Sequence, residues 1–233
     1  MSIYVRPAAA RGHANHGWLD TWHSFSFANY YDPRFMGYRA LRVINEDIIG
    51  PGTGFPTHGH ADMEIITYLI SGVLEHKDST GEHEQIKRGE VQRMTAGRGI
   101  RHSEANPSAS EEVKLLQIWM LPEAEGLEPG YEQKAFPEEV KRNRLCPIAA
   151  RDGRDGALHI HQDLVLYASC LDHGKAVTLP LAAGRGAWLQ MVSGQVSLEG
   201  QILSAGDGAA VQDVAELVIE AQQDSEFLLF DMA

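Results

Sequence analysis

The chain has 233 residues, 43% of them hydrophobic, enough for one large all-β domain or for two domains of about 100 residues each with a buried core. Thirty-two acidic against twenty basic side chains give a formal charge of -12, with lysine and arginine scattered, so nucleic-acid phosphates and anionic membrane surfaces are excluded as expected partners while a protein partner stays open. No apolar run approaches the ~20 residues of a membrane helix, no basic-then-apolar leader opens the chain, and the two cysteines, Cys146 and Cys170, lie outside any CxxC spacing, so the expectation is a soluble, cytoplasmic, monomeric protein with reduced thiols.

The N-terminal block "RGHANHGWLDTWHSFSFANYYDPRFMG" is aromatic and carries His13, His16 and His23, which read as structural, while residues 27–37 could cover the mouth of a cavity. Short β-like runs follow: "EIITYLI", "GVLEHKD", "EHEQIKR", "EVQRMTA" and "KLLQIWM". Turn chemistry separates them, in "SG" at 71–72, "DSTG" at 78–81 and "KRGE" at 87–90. Residues 121–144 are polar and proline-dotted, which suits a linker. The best helical candidate is "PEEVKRNRL", 137–145. Six further runs, "LVLYASC", "AVTLPL", "AWLQMVS", "QVSLEG", "ELVIEA" and "EFLLFD", complete the chain. This rhythm indicates antiparallel sandwiches or barrels. A boundary near residue 132 divides the chain into 1–132 and 133–233, and the halves echo each other from "YLISGVLEH" and "LQMVSGQVS" onward, as two barrels of one design would.

Two HxH triplets occur, His58-Gly59-His60 and His159-Ile160-His161, and a chain with eleven histidines yields such triplets by chance. Context separates them. Residues i and i+2 of a strand face one side about 6.7 Å apart, so His58 and His60 can turn both rings to one ion. Downstream, "GIRHSEANP" repeats the spacing with His102 and Glu104, and the turns between imply about four strands, enough to return the chain antiparallel beside its start. The histidines at 159 and 161 have no such second pair, since 184–223 contains no histidine, and no second metal site is expected. Glu64, four places after His60, has the parity of the same face, so parity leaves it open as a ligand. His76, His83 and His173 read as residues of turns or polar strand faces.

Here a resemblance becomes specific. "GTGFPTHGHADME" resembles the first cupin motif and "GEVQRMTAGRGIRHSEAN" the second, with one residue too many between Glu64 and Gly72, two too many between Gly97 and His102, and Thr95 where a proline is usual. Together with the N-terminal block and "THGHADMEIITYLISG", these departures are similar to the pirin family, bicupin proteins whose bacterial members include quercetin 2,3-dioxygenases. The resemblance implies two cupin-type (double-stranded β-helix, jelly-roll) barrels with few short helices, the metal in the first. It implies one divalent ion, iron(II) by family, held by His58, His60, His102 and Glu104. Zinc, manganese, nickel and copper suit the same donor types. Four protein ligands leave two octahedral positions open, for O₂ and an ionised flavonol hydroxyl, and the family chemistry opens the heterocycle with release of CO. Glu104 is the expected acceptor of the hydroxyl proton, no other carboxylate being so placed. Glu64, when not a ligand, accepts a hydrogen bond from a histidine ring or a loop amide behind the site. Phe55, Met63, Ile118 and Met120 are candidates to line the substrate cavity. The competing implication, from other pirins, is a metal-binding regulatory protein in which the oxidation state of the ion alters a partner-binding surface.

Overall fold

The computed structural model describes residues 2–233, which form two compact units. One comprises Gly12–Ala135 with Leu158–Gln162, the other Met1–Arg11, Phe136–Ala157 and Asp163–Ala233. A single cut at 132 therefore misassigns three segments: the N-terminal strand, residues 133–135, which finish strand Gly130–Ala135, and residues 158–162. Strand Ser2–Arg6 pairs antiparallel with Gly208–Gln212, so the N-terminus completes a sheet of the C-terminal unit. Conversely, residues 158–162 lie in the N-terminal unit, where His161 O accepts from Glu123 N at 2.6 Å and Gln162 Nε2 donates to Leu121 O at 2.7 Å.

In the N-terminal unit, four turn-separated strands, Glu64–Ser71, Val73–Asp78, His83–Lys87 and Glu90–Thr95, lie between the two histidine strands, Gly54–His60 and Ile100–Ala105. The first sheet runs Gly130–Ala135, Glu90–Thr95, Glu64–Ser71, Val113–Met120, Leu41–Ile49, Leu19–His23 and Gly12–Asn15. The second runs Gly54–His60, Ile100–Ala105, Val73–Asp78 and His83–Lys87. One end of the space between them is closed by apolar side chains from both, Leu19, Ile49, Leu69 and Leu115 against Leu74 and Ile86. The other end holds the polar groups described below.

The C-terminal unit repeats the order. Gly208–Gln212, Gly186–Ser193, Ser225–Met232 and Leu164–Leu171 are neighbours in one sheet, and Ala176–Pro180, Glu216–Ala221, Gln195–Leu198 and Gln201–Ser204 form the other. Its core is a large apolar cluster, with Leu189, Leu203, Leu217, Ile219 and Phe227 all buried. The Ser-Gly turns that suggested the repeat are structurally equivalent. Gly72 and Gly194 have φ of 82° and 74°, and a Cβ would approach the carbonyls of Glu112 and Asp224 to 2.7 and 2.2 Å. Both need the left-handed region and have no room for a side chain. The expected helix shrinks to the single turn Glu138–Lys141.

Candidate metal centre and its cavity

Antiparallel pairing sets His102 opposite His58 and Ile100 opposite His60. The rings of His58, His60 and His102 are mutual neighbours, with centroids 4.8, 4.4 and 4.9 Å apart. One nitrogen from each lies within 4.8 Å of the others. Further along, the pairing slips: Glu104 stands opposite Phe55, so three residues on one strand match two on the other. The extra residue falls at Pro56–Thr57, where proline has no N–H to lose from the ladder. Phe55 and His58, three apart, consequently both face the cavity.

Burial, reinforced by His58, lowers the His60 pKa to about 4; burial with His58, His60 and His76 around it lowers that of His102 to about 3. Both rings are therefore neutral at pH 7 with a lone pair available. His58 Nδ1 lies 2.8 Å from Pro56 O, which directs Nε2 away from that carbonyl. His102 Nε2 is buried without a hydrogen-bond partner, a costly state for a nitrogen that nothing binds. Neutral imidazoles and a buried ring nitrogen without a partner fit a divalent transition ion.

Glu104 stands beside this triad and forms a second group of three with His102 and His76, again within 4.8 Å. Its carboxyl accepts from Gln117 Nε2 at 2.9 Å and from Thr67 Oγ1 at 3.4 Å. Burial, then the charge of Asp47, raises its pKa to about 7. Glu64 points elsewhere. It is fully buried and accepts from Thr95 Oγ1 at 3.1 Å, from His161 N at 3.4 Å and from His161 Nδ1 at 3.3 Å. Both His161 donors belong to the second HxH segment; His159 stays exposed, its ring against that of His161.

A cavity of about 500 Å³ opens onto the triad, within the range of small-molecule sites, roughly 300–1,000 Å³. Phe55 lines it, with Trp18, Phe27 and Trp119. Trp18 meets Phe55 edge-on at 5.0 Å, and Trp119 meets Phe27 and His60 in the same way at 5.4 and 4.8 Å. The remaining candidates do not line it. Ile118 and Met120 are fully buried on the opposite face of Val113–Met120, whose cavity-facing residues are Gln117 and Trp119. Met63 packs against Ile65, Met94, Ala96 and Ile100. Of the segment at 27–37, Phe27 and Ala28 reach the cavity. His16 and His23 also line it, His23 bonded to Asn45 at 2.8 Å, whereas His13 pairs with Asp20 at 2.7 Å.

Two functional candidates were missed. Asp47 lines the cavity, so Glu104 is not its sole carboxyl; burial raises Asp47 to about 7 in spite of the lowering hydrogen bond from Thr21. Alternation was the available signal, because in "LRVINEDII" Leu41, Val43, Asn45, Asp47 and Ile49 share one buried face. His76 is fully buried beside His102 and does not belong to a turn or a solvent-facing strand surface.

Two β-sandwich units of one topology, the first with clustered histidine donors and the second with an apolar core, define a two-barrel cupin architecture. The Pirin family description matches residues 4–120, and that of the quercetinase C-terminal cupin domain matches 147–232. The chain belongs to the pirin family. It is 52% identical over 230 residues to an Escherichia coli K12 protein named quercetin 2,3-dioxygenase, covering 99% of this chain and 98% of that one. The crystal structure of YhhW from Escherichia coli superposes with a TM-score of 0.97 at 51% identity, covering 100% and 98% of the two chains. That of bacterial pirin YhhW with nickel(II) gives 0.95 at 51% identity and 99% of each. Among the described residues, no helix is long and apolar enough to cross a membrane.

Proposed function

We propose that the chain is a metal-dependent dioxygenase that opens the heterocycle of a flavonol such as quercetin with O₂ and releases CO. The observation that carries this reading is the set of three histidine donors, within 4.8 Å of one another, on the wall of an aromatic-lined cavity of about 500 Å³. The name of the 52% identical relative supports the substrate class, and the nickel(II) complex of YhhW supports a divalent ion. His58, His60 and His102, with Glu104 beside them, would hold that ion, for which we propose iron(II). When bound, it supplies Lewis-acid activation of a substrate hydroxyl and electron exchange with O₂.

The side chains of the chain do the rest. Trp18, Phe27, Phe55 and Trp119 take the faces and edges of a planar polycyclic ligand. Glu104, a buried carboxyl beside the triad, accepts the hydroxyl proton. Gln117 and Thr67 hold its two oxygens in place. Asp47, with a pKa raised to about 7, lies on the other sheet and can bind a second hydroxyl of a polyphenol.

Aerobic incubation of iron-loaded protein with quercetin, following loss of flavonol absorbance and stoichiometric CO, tests the proposal. Turnover is expected, with Glu104→Gln retaining appreciable metal and losing most of the rate. No turnover at a fully occupied site would overturn it.

A further inference from the structure

Beside the triad lies a buried polar row that the proposed chemistry does not use. Val73–Asp78 pairs antiparallel with Ile100–Ala105, setting Asp78 opposite His102 and His76 opposite Glu104. His76 Nε2 is 3.0 Å from Asp78 Oδ2, and neither side chain has exposed surface. On its other edge, His76 Nδ1 is 3.5 Å from His102 Nδ1 and 3.4 Å from Gln92 Nε2.

We propose that Asp78 and His76 are positioning residues that fix the tautomer of His102, keeping its proton on Nδ1 and its Nε2 lone pair turned to His58 and His60. The inference rests on the metal-binding reading of those histidines. A carboxylate only accepts, so the hydrogen shared by Asp78 and His76 sits on His76 Nε2. A neutral imidazole has one N–H, which leaves His76 Nδ1 as an acceptor. The Gln92 amide and His102 Nδ1 both converge on that lone pair; an unprotonated His102 Nδ1 would set a second lone pair against it at 3.5 Å, so the repulsion is relieved when His102 carries its proton there. The opposite nitrogen, His102 Nε2, is the one buried without a partner. His58 obtains the same orientation more simply, from Nδ1 against the Pro56 carbonyl at 2.8 Å. A contact of 3.5 Å is at the outer limit of hydrogen bonding, so His76 selects an orientation more than it adds stability. Partners of this kind typically change metal affinity by roughly 10–100-fold.

Asp78→Asn is the sharpest test. Oδ1 of Asp78 already accepts from Thr80 N at 2.8 Å and Thr80 Oγ1 at 2.6 Å, bonds that asparagine can keep. The amide would then donate to His76 Nε2, move the His76 proton to Nδ1, and force the His102 proton onto Nε2, closing the lone pair. Long-range ¹H–¹⁵N spectra of metal-free wild type should show His102 protonated at Nδ1, and Asp78→Asn should shift it to Nε2. Nickel(II) dissociation constants, measured by chelator competition, should weaken about 10–100-fold in Asp78→Asn and His76→Gln. A wild-type His102 protonated at Nε2, or nickel affinities in both variants within about threefold of wild type, would overturn the proposal. So would two nickel equivalents in wild type falling to one in His76→Gln, since His76 would then be a ligand of a site with His102 and Glu104. Failure of the underlying reading shows separately, as unchanged nickel binding in His58→Ala.

Discussion

The charge of Asp47 opposes ionisation of Glu104, and two carboxyl groups contributed by different sheets both titrate near pH 7 on one cavity. Desolvation is the larger cause for each. The arrangement buries two carboxyl groups at a cost in stability that depends on pH.

That cost has a definite sign for Asp47. Its pKa is 3.8 in the unfolded chain and about 7 when folded, so the folded state binds the proton more tightly. The stability this contributes is complete below about pH 4 and is lost as pH rises through about 7. Asp47→Asn stays neutral and can still accept from Thr21, so the variant escapes the loss. The difference in Tm between metal-free variant and wild type should grow in favour of the variant from pH 4 to pH 8. A difference that does not change across that window would remove Asp47 as a desolvated acid.

The two HxH triplets should behave oppositely. Single alanine substitutions at His58, His60 or His102 should each lower metal affinity by more than the roughly 10–100-fold expected for an outer hydrogen-bond partner. Alanine at His159 or His161 should leave metal content unchanged. Elemental analysis of protein purified without a nickel column distinguishes them, and loss of stoichiometric metal in His159→Ala would break the distinction.

What could be read in the sequence follows from the periodicity of strands. The pairs 58/60 and 102/104, and the four strands between them, depend on alternation and turn residues, which act locally, and both are present. Alternation does not say which face of a strand is inward when both are buried. Val113–Met120 has buried residues of both parities, so choosing Ile118 and Met120 over Gln117 and Trp119 selected the outer face. Nor does it reveal a bulge: the extra residue at Pro56–Thr57 brings Phe55 inward against strict parity. His76 was invisible for a different reason. Its burial depends on the neighbouring strand that carries His102, a pairing between positions 26 residues apart. Segments 2–6 and 158–162 crossed the proposed boundary because each docks on residues far away in the chain.

Glu64 is a case where parity and chemistry diverge. It is completely buried and satisfied by Thr95 and His161, so its work is to anchor residues 158–162 to strand Glu64–Ser71. Glu64→Ala should cost about 1–3 kcal/mol, because buried donors lose their acceptor. Metal stoichiometry should be retained. Urea unfolding with parallel metal analysis checks both, and a variant of native stability that has lost its metal would return Glu64 to the ligand set.

Neighbouring residues of one strand should separate ligand binding from stability. Trp119 presents its ring to the cavity, edge-on to His60 and Phe27, whereas Ile118 is wholly buried on the other face. Trp119→Ala should weaken flavonol binding roughly tenfold, the equivalent of about 1.4 kcal/mol. Ile118→Val should cost about 0.5–1.5 kcal/mol of folding stability and leave binding as it was. Anaerobic calorimetric titration with quercetin, which holds the reaction at binding, reads the first effect, and thermal unfolding reads the second. Weaker binding in Ile118→Val without change in Trp119→Ala would place the ligand on the other side of this sheet.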